Sequence, residues 1–93
     1  MKEHIKKYID FFGYDENDFI PSELSAMPAN DVHHIERRGM GGGGKTKGGE
    51  DVNGMENLMA LTREEHVKYG DKKEFREMLK NKHLKFIKLH GKQ

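Results

Sequence analysis

A glycine-rich segment between residues 39 and 49 constrains this chain more than any other feature of the sequence. It holds seven of the eleven glycines. Glycine loses more backbone entropy on ordering than any other residue, so such a run does not form a packed helix or strand. We therefore expect a flexible loop here, and the core has to be assembled from short apolar segments on either side of it.

The 93 residues are expected to form one small domain, residues 1–93, with a thin core. Charged residues make up 35% and hydrophobic residues 33% of the chain, so helices, a metal or a partner must add stability. The absence of cysteine excludes disulfides and cysteine-based zinc sites. No apolar run is long enough to span a membrane, and the first residues lack the apolar core of a signal peptide. A cytoplasmic protein without a membrane partner is expected.

The apolar spacing predicts a helix near each end of the chain. Apolar side chains recur at helical spacing over residues 2–12, and Gly13 stops the pattern. A longer helix is predicted over about residues 71–90, with Asp71 as its N-cap. Basic residues alone carry charge after Glu77: Lys80, Lys82, Lys85, Lys88 and Lys92. These lysines fit contact with a phosphate backbone, and they fit a solvated helix face equally well.

Two short strands are predicted between these helices. Residues 31–35 form the first, and residues 56–61 form the second or its loop. A turn is expected over residues 51–54, where aspartate, asparagine and glycine cluster. Thr62 is followed three positions later by glutamate, which matches a capping box and predicts a short helix that closes at Gly70.

Two adjacent histidines, an asparagine and a third histidine form a pattern across these elements. His33 and His34 lie on the first predicted strand, Asn57 follows His34 by 23 positions, and His66 follows Asn57 by nine. This order resembles the HNH endonuclease motif, over roughly residues 19–70. The resemblance implies an α+β fold with a ββα-metal (HNH, or His-Me finger) core, flanked here by an N-terminal helix and a basic C-terminal helix.

The same resemblance implies hydrolysis of DNA phosphodiester bonds with one divalent metal ion. In the family, the first histidine of such a pair is a metal ligand and the second is the general base, which implies these roles for His33 and His34. It likewise implies that His66 is a metal ligand and that Asn57 ties the loop that orients the base. A neutral imidazole can accept a proton near neutral pH, and a metal can stabilise the charge of the transition state and the leaving oxygen.

Two departures from the family pattern concern metal content. Many members bind a structural zinc through two Cys-x-x-Cys pairs. The four corresponding positions here are Ser22, Ser25, Thr62 and Glu65, so no such zinc is expected. Some members carry a further helix histidine where this chain has Gly70. The expected protein ligands are therefore His33 and His66, with Asn57 or Asp31 as alternatives for a third, and imidazole ligands favour zinc, nickel or manganese over magnesium.

Four basic residues near the motif are expected to contact DNA phosphates. Arg37 and Arg38 follow the first strand, where an arginine fork could clamp a phosphate. Lys45 and Lys47 lie on the glycine-rich loop and could reach the DNA backbone. The alternative for the arginines is a solubilising charge at a strand end, and for the lysines it is the ordinary polarity of a loop.

Two rival site interpretations are less well supported. Residues 39–46 match the P-loop pattern GxxxxGK[ST], but no helix follows the lysine and threonine, so no helix N-terminus is available to cradle phosphate. The isolated histidines His4, His83 and His90 are expected to be surface or helix-face residues rather than ligands.

Two rival functions remain open. One is a non-catalytic nucleic-acid-binding module that retains the HNH fold. The other is a metal-stabilised interaction domain that binds other phage or mobile-element proteins, since short freestanding members of the family are often phage proteins. DNA is the expected partner in the nuclease interpretation.

Overall fold

A computed structural model describes residues 2–15, 17–36, 44–45, 51–70 and 72–90. Over these residues the chain forms a small α+β fold with three helices and one antiparallel pair of strands. In chain order the elements are α1 (Glu3–Phe12), β1 (Asp31–His34), β2 (Leu58–Leu61), α2 (Arg63–Glu65) and α3 (Arg76–His90). The α+β class predicted from the sequence is confirmed. No helix in the described ranges has the length and apolar character that crossing a bilayer requires.

Helix α1 ends where the sequence predicts. Gly13 adopts a left-handed conformation with φ 77°, and the next N–H, that of Tyr14, bonds to the carbonyl of Ile9 at 2.9 Å. Residues with a Cβ are strained in this region of φ, whereas glycine is not. The buried residues of the helix, Tyr8 and Ile9, are two of the apolar positions that gave the helical pattern.

The two strands pair so that the adjacent histidines point to opposite faces. In the antiparallel register, His33 lies opposite Met59 and His34 lies opposite Leu58. Successive side chains of a strand alternate between faces. His34 therefore shares one face of the sheet with Val32, and His33 lies on the other face.

Helices cover both faces of the sheet, which explains why every residue of β2 is apolar and buried. On one face, Tyr8 of α1 packs in a cluster with Val32, Leu58 and Ala60. On the other, Leu79 of α3 packs with Ile35, Met59 and Leu61. A two-stranded sheet is marginal on its own. Burying one leucine-sized side chain contributes about 1.5–3 kcal/mol, so the helices supply most of what holds these strands together.

Helix α2 begins at the capping box that the sequence predicts. The Thr62 hydroxyl accepts a hydrogen bond from the N–H of Glu65, and the Glu65 carboxylate accepts one from the N–H of Thr62. The chain then continues as a π-helical turn over His66–Gly70. The predicted end at Gly70 is confirmed, but the change to π geometry, which is frequent at functional sites, was not predicted.

Two elements, β2 and α3, begin later than predicted. Strand β2 begins at Leu58, because Met55–Asn57 forms a 3₁₀ turn. Helix α3 begins at Arg76, after another 3₁₀ turn over Lys73–Phe75. Asp71, the predicted N-cap, lies outside the described residues, as does most of the predicted flexible loop.

Candidate functional site

The imidazoles of His33 and His66 face each other. Their ring centroids are 4.6 Å apart, with 54° between the planes. His33 comes from β1 and is 8% exposed, whereas His66 lies at the start of the π-helical turn with its side chain 30% exposed. The structure therefore brings together the two residues predicted as metal ligands, with the His33 ring nearly buried and the His66 ring partly exposed.

Asp31 fixes the ring of His66. Its Oδ2 lies 3.2 Å from Nδ1 of His66. An ionised carboxylate can only accept, so Nδ1 carries the proton and Nε2 of the neutral ring keeps its lone pair. This arrangement is the usual support for a metal-binding histidine. Asp31, which the sequence offered as an alternative third ligand, contacts His66 through Oδ2.

Gly70 allows the backbone of the π-helical turn to approach both rings. A Cβ at this position would lie 2.7 Å from Cδ2 of His66 and 3.2 Å from Nε2 of His33. The sequence identified position 70 as the place of a missing ligand. The structure shows that any side chain here would press against the two rings already present.

His34 lies on the other face of β1, against α1. Its Nε2 is 2.8 Å from Oδ1 of Asn53, and its ring centroid is 4.7 Å from that of His4. Burial, followed by repulsion from His34 and Lys2, lowers the pKa of His4, and a hydrogen bond with the Val32 backbone opposes this shift. His4 is therefore a neutral aromatic neighbour of His34 at neutral pH.

Asn57 joins the end of β1 to the turn before β2. Its side-chain N–H group donates to the carbonyls of Glu36 and Val52, at 2.9 and 2.8 Å. Its Oδ1 accepts from the N–H of Glu36 at 2.7 Å. The amide is almost fully buried, so its three hydrogen bonds hold two separate segments of chain in one fixed relation.

Of the predicted phosphate contacts, only one can be placed. Lys45 is exposed and pairs through its backbone with Asp51. Arg37, Arg38 and Lys47 lie outside the described residues. Lys45 is thereby close to the turn that carries Asn53.

A second group of polar residues is buried between the helices. The imidazole of His83 lies 2.7 Å from Oε1 of Glu23 through Nδ1 and 2.5 Å from the carbonyl oxygen of Met55 through Nε2. The Tyr8 hydroxyl donates to Oε2 of Glu23 at 2.6 Å. Burial and the Glu23 carboxylate raise the pKa of Tyr8, so its hydroxyl stays a donor. His83, expected to be a surface or helix-face residue, is fully buried.

Hydroxyl groups surround the carboxylate of Glu65. Ser22 Oγ donates to Oε1 of Glu65, and Thr62 closes the capping box with it. Burial alone would raise the pKa of Glu65, but hydrogen bonds from Ser22, Ser25 and Thr62 outweigh it and lower the pKa. The four positions that were compared with the zinc cysteines of HNH proteins, Ser22, Ser25, Thr62 and Glu65, thus form one hydrogen-bonded cluster around a carboxylate.

Sequence reasoning missed Asn53 and His4 as neighbours of His34. Asn53 was interpreted only as a turn residue, because the glycine-rich segment separates it from His34 and no periodicity connects the two. His4 lies on a helix outside the motif. Its place on the face of α1 that also carries Tyr8 was the one available signal.

The pair of imidazoles fits a divalent cation in its donor chemistry. Two imidazoles, one of them held by a carboxylate, are suitable ligands for zinc, nickel or manganese. Within the described ranges, no group of three or more His, Cys, Asp or Glu side chains is arranged to hold a metal ion. Protein-family models, curated proteins and solved structures give no match to this chain.

Proposed function

We propose that this protein is a metal-dependent HNH-type endonuclease that hydrolyses DNA phosphodiester bonds at a ββα-metal centre. The contact between His33 and His66 carries the proposal. An imidazole from the first strand meets one from the helical segment that follows the second strand. The chain order of strand, strand and helix is the order that the resemblance implies.

His33 and His66 would hold the divalent ion, and Asp31 keeps Nε2 of the His66 ring available as a donor. A bound ion supplies Lewis-acid polarisation of the phosphate and charge stabilisation for the leaving oxygen. With only these two side-chain ligands, water and substrate oxygens would complete the coordination shell of the ion. Gly70 keeps its side of the two rings free of a side chain.

His34 acts as the general base that takes a proton from the attacking water. His33 and His34 diverge to opposite faces of β1, so the scissile phosphate has to lie across the end of this strand to reach both. Asn57 keeps that strand end in place through its bonds to Glu36 and Val52. Lys45 is exposed beside the turn that carries Asn53, where its charge attracts the DNA backbone.

Plasmid cleavage tests this proposal. Purified protein should nick or cut plasmid in Mn²⁺, Ni²⁺, Zn²⁺ or Mg²⁺ and lose the activity in EDTA. His34→Ala should reduce the rate by about 10²–10⁴-fold, the usual effect of losing a general base, while calorimetry shows metal binding retained. His66→Ala should lose metal binding. His90→Ala, which removes an exposed histidine of α3, is the matched control.

Two results would contradict the proposal. Wild-type cleavage by His34→Ala would remove this residue as the base, and no cleavage with any of these metals would exclude the nuclease. The lysines exposed along α3, Lys82, Lys85 and Lys88, favour the non-catalytic DNA-binding module as the second candidate. Salt-sensitive DNA binding without cleavage would support that candidate.

A further inference from the structure

The hydrogen bond between His34 and Asn53 determines which nitrogen of His34 can act as a base. Nε2 of His34 lies 2.8 Å from Oδ1 of Asn53. A carboxamide oxygen only accepts, so Nε2 must be the donor. A neutral imidazole carries one N–H, which leaves the lone pair on Nδ1.

We propose that Asn53 is a positioning residue that holds His34 in its Nε2–H tautomer and so directs Nδ1 toward the attacking water. The inference rests on the proposed function, in which His34 is the general base. Its structural part, the tautomer and its dependence on Asn53, applies whether or not the protein cuts DNA.

The turn around Asn53 is built to hold this side chain in place. The side chain of Asp51 accepts from the N–H of Asn53 at 3.0 Å, and the carbonyl of Asp51 accepts from the N–H of Gly54 at 2.9 Å. A Cβ at Gly54 would lie 3.1 Å from that carbonyl oxygen. These bonds hold the backbone of Asn53, and the contact with His34 holds its side-chain amide.

Asn57 affects the position of His34 indirectly, through this turn. Asn57 donates to the carbonyl of Val52, the residue directly before Asn53, and pairs with Glu36, two residues after His34. The amide of Asn57 therefore holds the strand end and the turn at the separation that the bond between His34 and Asn53 requires. Asn57 orients the base indirectly, and Asn53 makes the direct contact.

Nitrogen-15 NMR of the histidine rings tests the tautomer in metal-free protein without DNA. At alkaline pH, where imidazoles are neutral, the wild-type His34 should show a protonated Nε2 and an unprotonated Nδ1. Asn53→Asp keeps an acceptor oxygen and should keep this pattern, whereas Asn53→Ala should give a mixture of tautomers. A protonated Nδ1 in the wild type, or an unchanged spectrum in Asn53→Ala, would overturn the proposal.

Kinetics test the consequence for the reaction. Asn53→Ala should lower kcat by about 10–100-fold, the usual effect of removing the partner of a functional histidine, and leave KM for plasmid within about twofold. Asn53→Asp should retain most of the activity. Asn81→Ala, on the exposed surface of α3, is the control and should change neither constant.

A double-mutant cycle tests the route from Asn57. If Asn57 acts through Asn53, the combined Asn53→Ala and Asn57→Ala variant should be about as slow as Asn57→Ala alone, and additive effects would overturn this route. Asn57→Asp keeps the oxygen that accepts from the N–H of Glu36 and loses the donor to the carbonyls of Glu36 and Val52. It replaces the alanine variant if the latter does not fold. If the wild type cuts no DNA, the proposed function fails and the NMR result still decides the role of Asn53.

Discussion

Gly70 sets how closely the histidine pair can approach the helix backbone. Gly70→Ala would place a Cβ 2.7 Å from Cδ2 of His66. The His66 side chain is 30% exposed, so swinging its ring outward is the easiest relaxation. We expect the gain in helix propensity, about 1 kcal/mol, to offset much of the strain, while zinc affinity falls by about tenfold or more, as for other lost ligand supports. Calorimetric titration with zinc measures this change in affinity.

Val67→Ala is the matched control, because Val67 lies in the same turn and is 65% exposed. It should leave zinc affinity unchanged. Gly70→His would place a histidine where some HNH proteins carry one, but its Cβ meets the same two rings, so we expect it to weaken zinc binding as well. A folded Gly70→His variant with higher zinc affinity than the wild type would refute this account.

Asp31 provides a second test of the pair. Asp31→Ala removes the oxygen that holds Nδ1 of His66, so zinc affinity should fall by about 10–100-fold. Asp31→Asn keeps an acceptor oxygen, so its zinc affinity should fall less. Asp10→Ala removes an exposed carboxylate of α1 and should have no effect. If Asp31→Asn and Asp31→Ala lose affinity equally, the charge of Asp31 matters more than its hydrogen bond.

At the scale of single residues, the sequence indicates which residue types the site uses but not how they are supported. The resemblance to the HNH motif implied that His33 and His66 act together, and their rings lie 4.6 Å apart. The collision at Gly70 and the bond from Asn53 to His34 depend on distances across the fold. No spacing along the chain contains that information.

Helix α2 depends on one carboxylate at its first turn. Hydrogen bonds lower the pKa of Glu65 in the folded protein. The ionised side chain therefore stabilises the fold at pH values above the pKa that glutamate has in the unfolded chain. That contribution is lost as the pH falls through the lowered folded-state pKa. Glu65→Gln keeps an acceptor oxygen but cannot titrate. Its deficit in unfolding free energy relative to wild type should therefore shrink as the pH falls.

Urea unfolding at a series of acidic pH values measures this difference. Glu64→Gln is the control, since Glu64 lies in the same turn and is exposed. Its curve should run parallel to that of the wild type. Parallel curves for Glu65→Gln as well would show that Glu65 contributes no pH dependence.

Elements whose ends have local chemical signals were predicted best. Gly13 ends α1 and Thr62 begins α2 where the sequence placed them, because a left-handed glycine and a capping box act within one turn. The π-helical turn and the late start of α3 were missed. The 3₁₀ turn before α3 has no side-chain cap, so no capping residue in the sequence marks where α3 begins.

At the scale of the whole molecule, one buried polar group links the helices on opposite faces of the sheet. The Glu23 carboxylate accepts a hydrogen bond from Tyr8 of α1, 15 residues away in sequence. Its other oxygen is hydrogen-bonded to His83 of α3, 60 residues away. The side chains of Glu23 and His83 are 0% exposed. Sequence reasoning placed His83 among surface or helix-face histidines, because partners so distant in the chain leave no local pattern.

His83→Leu should therefore be the most damaging of these variants to stability. It leaves the Glu23 carboxylate buried without its imidazole partner, which typically costs about 3–5 kcal/mol, against a total stability of about 5–15 kcal/mol for ordinary domains. Lys80→Ala removes the partly exposed pair with Glu36 and should cost about 1 kcal/mol or less.

Adding Glu23→Gln to His83→Leu removes the stranded charge, so the double variant should lose less than the sum of the single losses, by about 0.5–3 kcal/mol. Urea unfolding of His83→Leu, Glu23→Gln, the double variant and Lys80→Ala measures these losses in unfolding free energy. If His83→Leu does not fold alone, a cooperative unfolding transition in the double variant would still show that the stranded charge caused the loss. Additive losses would mean that Glu23 and His83 stabilise the fold independently, and that no shared charge joins α1 to α3.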